Sequence, residues 1–140
     1  MKAFKLTFML LLAVSLSACN AQSSQDQKST VAADSEELQV YYFHFTKRCA
    51  TCNAVENETK VALELYYADQ MKEGNVAFTS LNLEEEDGKK MAGQLNVTGQ
   101  TLLLVKGEQM VNLTNEGFMN ARTNSGTFHE ILKSNIDKML

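Results

Sequence analysis

The pattern that indicates the fold lies in residues 38–52, which read Leu38-Gln-Val-Tyr-Tyr-Phe-His-Phe45 and then Thr46-Lys-Arg-Cys-Ala-Thr-Cys52. The first run is β-branched and aromatic without a helical period, which predicts a buried strand. From Cys49 to about Glu73 the chain lacks glycine and proline and carries apolar side chains at helical spacing, and Gly74 is a fitting helix stop. The stretch therefore predicts a strand, a short loop and a long helix that begins at two cysteines.

Strands and helices are predicted to alternate through the rest of the chain. Strands are expected over residues 76–83, 101–105 and 109–113, with a short helix over Glu84–Gln94. A closing helix is predicted from apolar residues on one helical face: Phe128, Ile131, Leu132, Ile136 and Leu140. The order β-α-β-α-β-β-α predicts an α/β fold with a central mixed sheet that is flanked by helices.

The first 37 residues are predicted to lie outside this domain, which spans residues 38–140. Residues 1–18 combine two lysines with a short apolar stretch and a small-residue end, which is typical of a cleaved signal peptide. Leu16-Ser-Ala-Cys19 resembles the lipobox of bacterial lipoproteins, and Asn20 starts a polar run. We therefore expect lipidation of Cys19, a flexible linker over residues 19–37, and a periplasmic, membrane-anchored location outside the cytoplasm. An ordinary signal peptide with an incidental cysteine is the alternative.

The motif that carries chemistry is Lys47-Arg48-Cys49-Ala-Thr-Cys52. Cysteines at this spacing on a helix start can bring their sulfurs close enough for a small-ring disulfide. The helix dipole and the unpaired N–H groups there stabilise a thiolate at Cys49, and the charges of Lys47 and Arg48 are expected to lower its pKa further. Once a mixed disulfide has formed, Cys52 can attack Cys49 and release the partner. This chemistry needs an exposed first cysteine and a shielded second one.

Other uses of the cysteine pair stay open at this point. A structural zinc site needs four ligands, and no second pair exists once Cys19 is lipidated. A disulfide that closes so small a ring contributes little stability. A soft-metal carrier for copper would use Cys49, Cys52 and His44. A non-catalytic subunit of a larger complex would keep the fold without using the cysteines.

From Leu38 to Leu140 the chain resembles thioredoxin-like proteins. The resemblance rests on the strand, Cys49-Ala-Thr-Cys52 and helix succession, on Thr98-Gly-Gln-Thr-Leu-Leu-Leu-Val105 and on Ser80-Leu-Asn-Leu-Glu84. It implies a minimal thioredoxin-like fold in which Cys49 is the nucleophile and Cys52 the resolver, with no separate cofactor or metal. The stretch from Thr114 to Asn124 resembles a group of short bacterial thioredoxin-like proteins whose labels mention a nitroreductase subunit.

The departures from the thioredoxin pattern concern three positions. Arg48 stands where thioredoxins carry the tryptophan before the first cysteine, and Phe43 stands six residues before Cys49, in the place of a buried aspartate. The chain has no proline, so Gln100 or Thr101 occupies the place of the cis-proline that marks the substrate-docking loop. A cis bond without proline costs about 3–4 kcal/mol, which predicts a trans bond there.

His44 is the titratable imidazole that local sequence brings near the cysteines. It could accept the proton of Cys52, although such a histidine is more often simply hydrogen-bonded within the sheet. The acidic run Glu84-Glu-Glu-Asp87 is interpreted as a solvated helix start.

The composition excludes several classes of protein. A formal net charge of −4 and the lack of a basic cluster argue against nucleic acid as a partner. No glycine fingerprint for dinucleotides, no phosphate loop and no His-Glu-x-x-His helix occurs. Together with the leader and the cysteine motif, these exclusions predict a membrane-tethered thiol–disulfide oxidoreductase that acts on a protein thiol or disulfide partner.

Overall fold

The structure, a computed structural model, describes residues 37–140. The predicted signal peptide, the predicted lipidation site Cys19 and the predicted linker up to residue 36 lie outside the described residues. Within the described range, no helix combines the length and the apolar composition that a membrane crossing requires.

Strands and helices follow one another in the predicted order, with one helix added near the end. The strands are β1 (Leu38–His44), β2 (Val76–Asn82), β3 (Thr101–Lys106) and β4 (Gln109–Asn112). The helices are α1 (Ala50–Glu73), α2 (Glu86–Gln94), α3 (Thr114–Asn120) and α4 (Ser125–Asp137). Gly74 ends α1 in the left-handed conformation, with φ of 83°, as the sequence predicts.

The strands form one mixed sheet in the order β2-β1-β3-β4. β1 pairs in parallel with β2 and antiparallel with β3, and β3 pairs antiparallel with β4. The predicted thioredoxin-like arrangement, with parallel pairing first and an antiparallel edge, is confirmed by this strand order. β1 is therefore a central strand, and its C-terminal end leads directly into the loop that carries the cysteines.

Apolar cores cover both faces of β1, which explains why its sequence shows no alternation of apolar and polar residues. Val40 and Tyr42 belong to a cluster with α1, α3 and α4. Tyr41 and Phe43 belong to a second cluster with α2. Because side chains alternate along a strand, Tyr42 faces the helix that bears the cysteines and Phe43 faces away from it.

The helix α3 is a feature that the sequence analysis did not predict. Its segment contains glycine and asparagine, which are poor helix formers in isolation. A Cβ atom on Gly117 would lie 3.1 Å from a methyl group of Val55 on α1. The lack of a side chain at Gly117 thus lets α3 pack closely against α1, and this tertiary contact outweighs the weak local propensity.

Two predicted boundaries are wrong by a few residues. The second helix begins at Glu86 instead of Glu84, because the backbone N–H of Glu84 donates to Asn82 Oδ1 in a turn. The closing helix ends at Asp137, and Leu140 is 49% exposed rather than on the buried face. Met139 is buried in its place.

Candidate active site

Cys49 and Cys52 are joined by a disulfide at the N-terminus of α1. Cys49 is the N-cap residue, and its Sγ accepts a hydrogen bond of 3.1 Å from the backbone N–H of Cys52. Cys49 is exposed, whereas Cys52 is 3% exposed. The first sulfur is thus accessible at the positive end of the helix dipole and the second is shielded, which is the arrangement that dithiol–disulfide exchange requires.

Arg48 directly precedes Cys49, but its side chain interacts with Glu56 and Tyr42. Its guanidinium forms an ion pair with Glu56 on α1, and its Cζ stands 5.5 Å from the centre of the Tyr42 ring. The Arg48 side chain is 21% exposed. Because Glu56 balances the charge of Arg48, the predicted effect of Arg48 on the Cys49 thiolate is reduced.

Glu56 is a buried carboxylate that the sequence analysis did not single out. It accepts a hydrogen bond of 2.6 Å from Lys60 Nζ in addition to its ion pair with Arg48. Burial raises the pKa of Glu56, but the hydrogen bonds and charges of Lys60 and Arg48 outweigh burial, so this pKa lies below its ordinary value. Glu56 is therefore ionised near neutral pH, and its negative charge pairs with the two cations.

Tyr42, and not Phe43, lies beneath the cysteine motif. Its hydroxyl donates a hydrogen bond of 2.9 Å to the backbone oxygen of Cys52, and its side chain is fully buried. Burial raises the pKa of Tyr42, and the neighbouring Arg48 lowers it only in part. The tyrosine is therefore protonated near neutral pH, when its hydroxyl fixes the first turn of α1 on the sheet.

The loop before β3 brings Gln100 to the shielded cysteine. Gln100 Oε1 lies 3.7 Å from Cys52 Sγ. The next residue, Thr101, is 8% exposed, and its hydroxyl donates to the backbone oxygen of Gly99. The described residues contain no cis peptide bond, so the Gly99–Gln100 and Gln100–Thr101 bonds are both trans, as predicted.

The two remaining predicted site residues have no described contact with the cysteines. His44 uses Nδ1 to donate a hydrogen bond of 3.0 Å to the carbonyl oxygen of Phe45, and Lys47 is exposed. A role for His44 as proton acceptor of Cys52 stays a prediction. Between residues 37 and 140, no group of three or more histidine, cysteine, aspartate or glutamate side chains is placed to hold a metal ion.

The loop between β1 and the motif is hydrogen-bonded to the last residue of β2 and to the turn that follows it. The backbone N–H of Thr46 donates a hydrogen bond of 2.7 Å to a carboxylate oxygen of Glu84. Asn82 Nδ2 donates a hydrogen bond of 3.0 Å to Thr46 Oγ1. The hydrogen bonds from Thr46 lower the pKa of Glu84. Glu84 thus holds the entry to the active-site loop, which the interpretation of its acidic run as a solvated helix start did not foresee.

The solved structures that are similar to this chain include two thioredoxins and a malarial protein. A malarial protein shares 19% identity, with 74% of this chain and 98% of that chain covered and a TM-score of 0.46. The germline-specific thioredoxin Deadhead from Drosophila melanogaster shares 14% identity over 77% of this chain and 85% of its own, with a TM-score of 0.49. Thioredoxin from Fasciola hepatica shares 16% identity, with 71% of this chain and 82% of that chain covered and a TM-score of 0.42. No protein-family model and no curated protein sequence matches the chain.

Proposed function

We propose that this protein is a membrane-tethered thiol–disulfide oxidoreductase outside the cytoplasm. The observation that carries the proposal is the Cys49–Cys52 disulfide, which caps α1 with an exposed first sulfur and a buried second sulfur. A disulfide that closes so small a ring adds little stability, so its position at a helix N-terminus favours a role in exchange.

The geometry supports a two-step exchange. In the reducing direction, the thiolate of Cys49 attacks a disulfide of the partner, and the leaving sulfur of the partner takes up a proton. The Cys52 thiol then loses its proton to water and attacks Cys49 Sγ. The Cys49–Cys52 disulfide re-forms, and the second partner sulfur leaves as a thiolate. The oxidising direction reverses these steps, and in either direction two electrons pass between the two dithiol–disulfide pairs.

The charges around Cys49 bear on the reduction potential. Potentials of such dithiols range from about −270 mV to about −120 mV, and stronger stabilisation of the thiolate gives the more oxidising value. The helix dipole and exposed Lys47 favour the oxidising half. The pairing of Arg48 with Glu56 offsets part of this preference.

The test of the exchange proposal is a redox titration against glutathione. The full chain carrying Cys19→Ser, purified in detergent, is equilibrated at a series of potentials, alkylated and weighed by mass spectrometry. We expect a reversible two-electron transition between the two extreme potentials above. A Cys49→Ser variant serves as the control and loses both the transition and at least about 100-fold of the turnover of a small disulfide.

A pair that stays locked as a disulfide, or permanently free, at all potentials would contradict the exchange proposal. The same holds for equal turnover by the parent and the Cys49→Ser variant. The soft-metal carrier and the non-catalytic subunit would then be the better interpretations.

The membrane tether is supported by the sequence of the leader. Leu16-Ser-Ala-Cys19 matches a lipobox pattern, and the polar residues after it suit a linker between lipid and domain. Labelling of expressing cells with radioactive palmitate is expected to mark the parent protein and not a Cys19→Ser variant. An unlabelled parent protein would contradict the lipid anchor.

A further inference from the structure

The sulfur of Cys52 has one described polar side-chain contact, and it comes from a distant part of the chain. Cys52 is 3% exposed, and the polar side-chain atom beside its Sγ is Gln100 Oε1, at 3.7 Å. The two residues are 48 positions apart, and the sheet brings them together. Gln100 lies in the loop directly before β3, at the position where the thioredoxin resemblance places the docking loop.

The resolving step needs such a partner. Cys52 must become a thiolate to attack Cys49, and a buried thiolate loses the hydration that would stabilise it in water. A hydrogen-bond donor beside the sulfur compensates for part of that loss.

The charged and titratable groups around the motif have other partners. The hydroxyl of Tyr42 on β1 donates a hydrogen bond to the backbone oxygen of Cys52, and His44 Nδ1 donates one to the backbone oxygen of Phe45. Arg48 from the loop and Glu56 from α1 pair with each other. Phe43, six residues before Cys49, belongs to the apolar cluster on the opposite face of the sheet.

The glutamine amide can serve both protonation states of Cys52. In the structure Cys52 is in the disulfide and carries no proton. In the reduced protein the amide oxygen can accept a hydrogen bond from the Cys52 thiol, and the NH₂ group can donate to the thiolate after a half-turn of the amide. A thiol is a weak donor, whereas an N–H bond to an ionised sulfur is charge-assisted and stronger. The net effect of the amide therefore favours the thiolate. The amide is neutral and cannot keep the proton, so the proton passes to water.

We propose that Gln100 is a positioning residue that holds the sulfur of Cys52 and stabilises its thiolate during resolution of the mixed disulfide. The proposal rests on the exchange function above, and it assigns to a residue of the expected docking loop a role that a proline side chain could not perform. Gln100 acts through Cys52 and is not itself a proton donor or acceptor in a bond-breaking step.

The first test measures the pH dependence of Cys52 alkylation. The full chain carries Cys19→Ser and Cys49→Ser, so that Cys52 is the remaining thiol, with either Gln100, Gln100→Met or Gln100→Glu. Methionine has a similar length without the amide, so we expect the pH midpoint to rise by about one unit or more. Glutamate has the same shape and places a negative charge beside the sulfur, so we expect a larger rise.

The matched control is Gln94→Met, because Gln94 is an exposed glutamine at the end of α2. We expect this variant to keep the parent midpoint. Thermal unfolding of each variant shows whether it is folded at the assay temperature. The proposal would be overturned if the pH midpoints of Cys52 alkylation in Gln100→Met and Gln100→Glu equalled that of the control. If the methionine variant does not fold, the midpoint of Gln100→Glu alone decides.

A kinetic readout separates resolution from the first attack. Resolution of a mixed disulfide at Cys49 by Cys52 is expected to slow about tenfold at neutral pH in Gln100→Met. The first attack, measured in a Cys52→Ser background, is expected to stay within about twofold. Equal slowing of both steps would indicate a structural defect and would contradict the positioning role.

The two proposals can fail separately. A normal redox transition with an unchanged Cys52 midpoint would keep the exchange function and remove Gln100 from it. A shifted midpoint without any redox transition would overturn the exchange function, and with it the resolving role.

Discussion

Two regions of this molecule use the same three kinds of side chain. Near the cysteines, Tyr42, Arg48 and Glu56 combine a tyrosine, a cation and a carboxylate. Between α1 and α4, the same combination occurs at Tyr67 and at the Lys133–Asp137 pair. The chemical groups match closely, but their surroundings differ.

Burial separates the two triads. The Glu56 side chain is 10% exposed, whereas that of Asp137 is 45% exposed. The hydroxyl of Tyr42 donates to the backbone oxygen of Cys52, and that of Tyr67 donates to Asp137 Oδ1 and lies 3.0 Å from the backbone oxygen of Lys133. The first triad therefore fixes the active-site turn with charges held away from water, and the second connects two helices at the surface.

The largest expected difference is in stability. Glu56→Gln leaves the half-buried guanidinium of Arg48 without its ionic partner. We expect a loss of about 1–3 kcal/mol in the free energy of unfolding. The loss is not larger because Arg48 and Lys60 are both partly exposed to solvent. The matched change Asp137→Asn breaks an exposed pair, and we expect a loss of less than about 1 kcal/mol. Urea unfolding of both variants measures these values. Equal losses would show that burial does not distinguish the triads.

A smaller difference is expected in the dependence of stability on acid. The pKa of Glu56 in the folded protein lies below its ordinary value of 4.5, so the stabilisation by its ionised form is complete above that value and is lost as the pH falls through the lower, folded pKa. Unfolding free energies measured from pH 7 downwards should therefore fall less steeply below about pH 4.5 in Glu56→Gln than in the parent.

Asp137 provides the control for this acid dependence. Its hydrogen bonds from Lys133 and Tyr67 lower the pKa of its carboxyl too, so Asp137→Asn changes the slope in the same direction. The change should be smaller, and it should weaken further in high salt, because the pair is exposed. A larger effect at Asp137 than at Glu56 would contradict the role assigned to burial.

The smallest effect concerns the reactivity of Cys49. Removal of the Glu56 charge frees Arg48 to stabilise the thiolate, so the pH midpoint of Cys49 alkylation should fall by a few tenths of a unit in a Cys52→Ser, Glu56→Gln chain. Asp137→Asn in the same background should leave the midpoint unchanged. An unchanged or raised midpoint after the Glu56 change would mean that Arg48 does not act on Cys49.

The features that could be read from the sequence are those in which the relevant residues are close along the chain. The apolar run that forms β1, the helical spacing after Cys49 and the stop at Gly74 depend on neighbours within one or two turns. The pairing of Cys49 with Cys52 has the same local origin, because a spacing of three residues at a helix start brings the two sulfurs together.

The features that could not be read were decided by packing. Alternation gives two possible faces for a strand that is buried on both sides, so the sequence did not show that Tyr42 rather than Phe43 faces the cysteines. The charge of Arg48 was assigned to Cys49 because the two are adjacent, whereas Glu56 meets it across two turns of α1. The sequence did contain a signal for this ion pair, because Glu56 lies one helical turn after Cys52 on α1.

The sequence by itself determined the disulfide motif, its place at a helix N-terminus and the order of strands and helices up to β4. These follow from local spacing, local propensity and the period of apolar residues. The tertiary structure decided which side chains surround the two sulfurs. Gln100 reaches Cys52 only because β3 pairs with β1, and α3 packs closely against α1 because Gly117 has no side chain to meet Val55. Contacts between residues far apart in the chain depend on how the sheet and helices pack, which no local pattern encodes.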